Sequence, residues 1–163
     1  MRELKKDPLF NEVTSLVPSA NALAISSFTR FSDKYQIISE VDTDDWDFFY
    51  TVAAVSYALM GLANYVSSEE RYTKLCEILS RELHSWHKNA EYAMGDLMSH
   101  LNKVWQNAQH LENEEATKLL ASCLGSWCLI NFKLEAPRDK PSALALEIGF
   151  TIILSFTDWW KGK

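Results

Sequence analysis

Hydrophobic positions dominate one stretch of the chain, Trp46 to Val66, in which only Asp47 carries a charge. A run of about twenty mostly apolar residues is typical of a helix that is buried on nearly every side. No proline occurs between residues 43 and 135 to break a helix in this long middle segment. The pattern therefore predicts an all-α fold in which other helices wrap around a central helix over 46–66.

A second pattern covers residues 72–111, where apolar residues recur every three or four positions along one helical face. A single helix of that length would reach about 60 Å, roughly twice the length of the other predicted helices. Half of its apolar stripe would then stay uncovered. The unbroken periodicity favours one continuous helix, but we expect a break near 88–90 or at Gly95, which gives two helices that fold back on each other.

The N-terminal part is expected to contain two helices separated by a proline. Apolar residues over 9–17 fit a short helix that Pro18 stops. Ser19 then has the side chain of an N-cap for a second helix over 19–32. Residues 33–41 are expected to form a connector into the central helix.

Other local signals place the remaining elements. Ser67, three residues before Glu70, predicts a capping box at the start of the next helix. The further elements are a helix over 113–134 that Asn113 caps, a loop over 135–141, and a last helix over 142–160 that begins with Ser142. Together the patterns predict a single domain over 1–163, an all-α bundle of five to seven helices.

Composition narrows the classes of partner. Of 163 residues, 47% are hydrophobic, and the formal net charge is −6. An acidic chain lacks the basic face that a phosphate backbone requires, so we expect no nucleic-acid binding. Cys76, Cys123 and Cys128 are too few for a disulfide framework, and we expect free thiols in a reducing, cytoplasmic compartment.

Two segments, 46–66 and 142–160, are long enough to be tested as membrane spans. Polar residues interrupt the first, and Glu147 and Asp158 lie in the second. A carboxylate at the middle of a bilayer costs about 2–3 kcal/mol or more. We therefore interpret both segments as core helices and expect no transmembrane span.

The densest group of potential metal ligands is His84, His87 and Glu91, with Asp96 and His100 further on. On a helix, residues three and seven positions apart share a face, so the first three could converge. If the chain folds back near residue 89, Asp96 and His100 come level with them. Imidazole and carboxylate ligands suit Zn²⁺ or Fe²⁺. A metal-binding bundle, with hydrolase or oxidase activity, is therefore an alternative function, although the spacing does not match the HExxH motif.

Four carboxylates precede and open the central helix: Asp42, Asp44, Asp45 and Asp47. Carboxylates at a helix N-terminus cap it and interact favourably with the helix dipole. The same side chains could instead form an acidic patch that steers a basic protein partner.

Aromatic residues suggest two further interaction sites. Trp159 and Trp160 are adjacent, so we expect one of them to be exposed or to contact a partner, which would allow a homodimer through the last helix. The other aromatic residues could line an apolar ligand pocket, as in a small-molecule sensor. The candidates for this pocket are Trp46, Phe48, Phe49, Tyr50, Tyr57, Trp86, Trp127, Phe150, Phe156 and Trp159.

No sequence motif indicates an enzyme. The chain has no G-x-S-x-G motif, no glycine-rich phosphate loop and no recognisable cysteine signature. The leading prediction is a non-enzymatic interaction module of adaptor, inhibitor or immunity type that binds another protein. The metal-binding bundle and the apolar-ligand sensor remain the alternatives.

Overall fold

The computed structural model describes residues 4–134 and 142–161. Within these residues the chain forms six α-helices and no β-strand, which confirms the predicted all-α bundle. One cluster of buried hydrophobic side chains draws members from all six helices. The helices are α1 (Phe10–Lys34), α2 (Thr43–Leu62), α3 (Glu69–Trp86), α4 (Ala90–Ala108), α5 (Asn113–Asn131) and α6 (Ala143–Phe156), with short 3-10 turns at Leu4–Lys6, Gln36–Glu40 and Trp159–Lys161.

The central helix is α2, as the apolar run predicted. Every side chain from 50 to 56 is buried, although the helix ends at Leu62 rather than at residue 66. Asp42 caps it, and its Oδ1 accepts hydrogen bonds from the backbone N–H of Asp44 at 2.8 Å and of Asp45 at 3.4 Å. The predicted cap is therefore confirmed.

Trp46 holds the start of α2 against its neighbours. Its indole Nε1 donates a hydrogen bond to the carbonyl oxygen of Ala24 on α1 at 2.8 Å. Its ring stacks on Phe132, just beyond α5, with 5.3 Å between the ring centroids. The acidic N-terminus of α2 is thereby placed beside the C-terminal end of α5.

Pro18 does not stop a helix, contrary to the expectation from its sequence. It lies inside the single helix α1, so Ser19 is an interior residue and not an N-cap. Pro18 is exposed while Leu16 and Val17 beside it are buried. An interior proline costs about 3 kcal/mol. Burying the two neighbouring side chains in the core returns about 1.5–3 kcal/mol each, so the helix continues through the proline.

The long apolar stripe is broken between α3 and α4, as expected near residues 88–90. α3 ends at Trp86, and His87 takes an extended backbone conformation with φ −158° and ψ 129°. The predicted capping box of Ser67 and Glu70 is wrong, because Ser68 is the N-cap of α3 and the residue three positions further on is Arg71, whose guanidinium cannot accept the reciprocal hydrogen bond. The Oγ of Ser68 accepts a hydrogen bond from the backbone N–H of Arg71 at 3.2 Å.

The last two helices begin differently from each other. Glu112 is the N-cap residue of α5 and provides no side-chain hydrogen bond, so the expected capping by Asn113 is wrong. The last helix begins at Ser142 as predicted, and Ser142 caps it by accepting a hydrogen bond from the backbone N–H of Ala145 at 3.1 Å. The predicted loop over 135–141 lies outside the described residues.

α5 and α6 pack unusually close together. A Cβ atom added to Gly125 would lie 1.8 Å from the carbonyl oxygen of Ala145, and one added to Gly149 would lie 2.0 Å from the carbonyl oxygen of Ala121. Each helix thus places a glycine directly against the backbone of the other. This contact fixes which face of α5 is inward, and therefore which face remains for other contacts.

The C-terminal segment, residues 143–161, passes a length and composition test for a membrane span. The structure buries 44% of that window inside the bundle. One such helix is weak evidence, because the core helix of a bundle passes the same test. The absence of a transmembrane span stays a prediction.

Candidate functional site

The predicted metal ligands on α3 do not share one face. His84 lies exposed in the last turn of α3, whereas His87 follows the helix end. The Nδ1 of His87 accepts a hydrogen bond from the backbone N–H of Asn89 at 3.1 Å. Its ring packs on Phe48 with 4.4 Å between the centroids. The expected convergence requires a helix through residue 87, and the extended conformation there removes it.

The predicted ligands on α4 form a pair. Nε2 of His100 lies 3.9 Å from Oδ1 of Asp96. The other carboxylate oxygen of Asp96 accepts a hydrogen bond from the indole Nε1 of Trp127 at 2.9 Å. Glu91 is exposed in the first turn of α4. In residues 4–134 and 142–161 no group of three or more His, Cys, Asp or Glu side chains could hold a metal ion, so a Zn²⁺ or Fe²⁺ centre remains a prediction.

The acidic residues of α2 divide into different roles. Asp42 caps the helix, while Asp44 and Asp45 are exposed on the first turn. Asp47 is half-buried, and the pKa of its carboxyl is raised, first by desolvation and then by the neighbouring charge of Asp44. Asp44 and Asp45 therefore keep exposed carboxylates that a partner could meet.

The paired tryptophans both make contacts within the chain. The indole Nε1 of Trp160 donates to the carbonyl oxygen of Ala58 at 2.6 Å, and that of Trp159 donates to the carbonyl oxygen of Glu12 at 3.0 Å. Trp160 is only 3% exposed and Trp159 is half-buried. The pair attaches the C-terminal turn to α1 and α2, and these contacts give no support to a homodimer through it.

Several aromatic residues proposed to line a ligand pocket pack on one another instead. The ring centroids of Trp46 and Tyr50 are 5.4 Å apart, and those of Phe48 and Trp86 are 5.7 Å apart. These distances are typical of packed aromatic pairs. The aromatic-lined sensor site therefore stays a prediction.

A different feature, which the sequence did not indicate, is a groove of about 550 Å³ between α4 and α5. The α4 side of the groove is mostly polar and charged. The α5 side combines apolar and polar residues, namely Leu119, Ser122, Cys123, Ser126, Trp127, Ile130 and Asn131. The α4 residues in its lining are Asp96, His100, Lys103 and Val104. The predicted metal ligands Asp96 and His100 thus belong to the wall of a groove.

The α5 wall forms a stripe on one outward face. Leu119, Cys123, Ser126 and Ile130 follow each other at steps of four, three and four residues, so they lie on the same side of the helix. Leu119 is 36% exposed and Ile130 is 63% exposed. Leu119 therefore faces outward and is not part of the core. We call these four residues the α5 seam.

Cys123 in the groove is not an activated nucleophile. Burial raises the pKa of its thiol to about 11, so the thiol is protonated at neutral pH. A cysteine nucleophile requires a lowered pKa or an adjacent base that removes the proton. The groove has the surface of a binding site, and its thiol does not indicate catalysis.

No known protein family matches this chain, and no curated protein or solved structure is significantly similar to it. Its fold is known from its own structure.

Proposed function

We propose that this protein is a non-enzymatic interaction module of adaptor, inhibitor or immunity type, and that it docks other protein surfaces in the groove between α4 and α5. The observation that supports this proposal best is the exposed α5 seam. Small-molecule sites usually enclose most of their ligand. Ile130 is 63% exposed at the rim, so this groove covers an occupant on one side only.

The dimensions of the groove suit a helix on the surface of another protein. The seam extends from Leu119 to Ile130, which are eleven residues apart. This separation corresponds to about 16 Å along α5, or three helical turns. An amphipathic helix places apolar side chains at intervals of three and four residues and binds such a groove with its apolar face. The seam offers such a helix apolar contacts at Leu119, Cys123 and Ile130, with Ser126 between them.

The acidic start of α2 lies near one end of the groove. Trp46 stacks on Phe132 beyond α5, and Phe49 contacts Trp127 in the groove with 5.6 Å between ring centroids. Asp44 and Asp45 therefore add negative charge near this end. Exposed charges of one sign accelerate association with an oppositely charged partner. This position supports a basic patch on the partner surface beside its apolar face.

The test is site-specific photocrosslinking in the native host. A photoreactive residue replaces Ile130 in one variant, and Leu154, which is 83% exposed on α6, in a matched control. We expect discrete covalent adducts from position 130 and none of the same mass from position 154. The mass of each adduct identifies it as a second copy or as a different protein. If position 130 yields no adduct beyond the control, the groove is not a docking surface.

The role of the acidic end is tested on whichever partner the crosslink identifies. Replacing Asp44 and Asp45 by Asn should slow association at low salt and have less effect at high salt, because salt screens exposed charges. An association rate that is unchanged at low salt would show that these carboxylates only stabilise the helix N-terminus.

A further inference from the structure

We infer that the groove between α4 and α5 binds a second copy of this chain, related to the first by a two-fold axis across the groove. This inference rests on the proposed function and names the occupant of that site. In a two-fold contact, the same surface of both copies meets in reversed direction. The groove must therefore be complementary to itself when it is turned end to end.

The apolar side chains satisfy this requirement. Reversal places Ile130 of one copy opposite Leu119 of the second, and the same contact occurs again on the other side of the axis. Cys123 and Ser126 lie between them and are small enough to let the two α5 helices approach. Steps of three and four residues between seam positions are also the spacing by which paired helices interlock.

The charges satisfy the same requirement independently. Asp96 and Lys103 both line the groove on α4 and lie seven residues apart, about 10 Å along the helix. Reversal brings Asp96 of each copy opposite Lys103 of the other, which gives two oppositely charged pairs in each dimer. Among the described residues Lys103 has no carboxylate within 4.0 Å in its own chain, so its charge is available for such a pair.

The apolar and charged contacts require the same axis. Asp96 and Trp127 are neighbours across α4 and α5, because their side chains are hydrogen-bonded at 2.9 Å. The midpoint between Asp96 and Lys103 lies three to four residues from Asp96 along α4. The midpoint between Leu119 and Ile130 lies two to three residues from Trp127 along α5. Because α4 and α5 run in opposite directions, both midpoints fall on the same side of the contact between Asp96 and Trp127, displaced by about 5 Å along α4 and about 4 Å along α5.

The first measurement is sedimentation of the full chain over roughly 1–500 µM, a range that includes weak dimers. We expect a concentration-dependent monomer–dimer equilibrium. Ile130→Asp should raise the dimer dissociation constant at least about tenfold, since each dimer loses two apolar contacts. Leu154→Asp introduces the same charge at an exposed site on α6 and should leave the constant unchanged. Equal effects of the two substitutions would overturn the inference.

The second measurement exchanges the charges. Lys103→Glu alone places two like-charged pairs in each dimer and should weaken it about tenfold. Asp96→Lys alone should do the same. A mixture of the two variants should associate, because a heterodimer restores opposite charges at both pairs. A mixture as monomeric as its components would contradict the two-fold arrangement.

The variant Asp96→Lys needs a folding control, because Asp96 accepts the hydrogen bond of the Trp127 indole. If circular dichroism shows that Asp96→Lys is unfolded, the double variant Asp96→Asn with Lys103→Glu replaces the mixture. Asparagine keeps an acceptor for Trp127 and removes the repulsion, so the double variant should dimerise more tightly than Lys103→Glu alone. A double variant as weak as the single one would overturn the inference.

The outcomes separate this inference from the proposed function. A chain that stays monomeric at all concentrations, but crosslinks from position 130 to a different protein, overturns the self-association and leaves the docking groove in place. A monomeric chain without any adduct from position 130 overturns both.

Discussion

Gly125→Ala should strongly destabilise the protein, because Gly125 lies against the backbone of α6. The new Cβ would lie 1.8 Å from the carbonyl oxygen and 2.5 Å from the carbonyl carbon of Ala145. Both atoms belong to the main chain of a helix, so no side-chain rotation can relieve the overlap. The two helices must move apart by more than about 1 Å to reach an ordinary contact distance of roughly 3.5 Å.

The expected magnitude follows from two opposing effects. Replacing an interior helical glycine by alanine gains about 1 kcal/mol, because alanine loses less backbone entropy on folding. Overpacking typically costs 1–3 kcal/mol and more where the backbone must shift, and separating the helices also loosens the side chains around the contact. We expect a net loss of about 2–4 kcal/mol in the free energy of unfolding.

The assay is equilibrium unfolding in urea, followed by far-ultraviolet circular dichroism. Gly95→Ala is the matched control, since a Cβ at Gly95 on α4 has no atom within 4 Å. The control should be stabilised by about 0.5–1 kcal/mol from helix propensity alone. Gly149→Ala, whose Cβ would lie 2.0 Å from the carbonyl oxygen of Ala121, should behave like Gly125→Ala. Equal stability of the Gly125 and Gly95 variants would refute the close packing of α5 on α6.

Three further predictions concern other contacts. Asp7 accepts two hydrogen bonds from the Arg71 guanidinium, at 2.7 and 2.8 Å, and this pairing lowers the pKa of its carboxyl below 3.8. Its stabilisation is therefore fully present above about pH 4 and is lost as the pH falls through the lowered pKa. Asp7→Asn should cost about 1 kcal/mol at pH 7 and progressively less as the pH falls below 4, measured by urea unfolding. Burial raises the pKa of the Cys128 thiol far above its ordinary value near 9. Just above pH 9 this thiol therefore ionises only in the unfolded chain. The free energy of unfolding should then fall by up to about 1.4 kcal/mol per pH unit. Cys128→Ala should remove that part of the slope, and an unchanged slope would contradict the assignment. Asp42→Ala removes the α2 cap and should cost about 1 kcal/mol, whereas Asp42→Ser, which can still cap, should cost much less.

The parts of the fold that follow from local patterns could be predicted from the sequence. The apolar run identified α2 as the central helix, and the length of the stripe over 72–111 required a break that lies between Trp86 and Ala90. Asp42 was among the predicted caps of α2, and the start of the last helix at Ser142 was also predicted correctly. In each case the deciding interaction joins residues within a few positions of each other, so periodicity and residue type contain enough information.

The wrong predictions depend on contacts between distant segments. Pro18 is tolerated because core packing of the neighbouring side chains outweighs its helix-breaking effect. The convergence of His84 with His87 required α3 to continue through residue 87, but α3 ends at Trp86 and the ring of His87 packs on Phe48. Neither outcome can be obtained from spacing alone, because both are decided by which surfaces the folded bundle buries.

The groove could not be predicted from the sequence, for a related physical reason. α5 carries apolar side chains on two faces, and the sequence does not show which of them is covered. Gly125 and the backbone contact with α6 settle the inward face, which leaves Leu119 and Ile130 on the outer one. Leaving a large aliphatic side chain exposed forgoes up to about 1.5–3 kcal/mol of burial energy. Single exposed apolar side chains are common on protein surfaces, and Leu154 on α6 is more exposed than either of these two. What distinguishes Leu119 and Ile130 is their position in one seam, beside charges that are complementary on reversal. This arrangement is explained if the seam is covered when the protein functions.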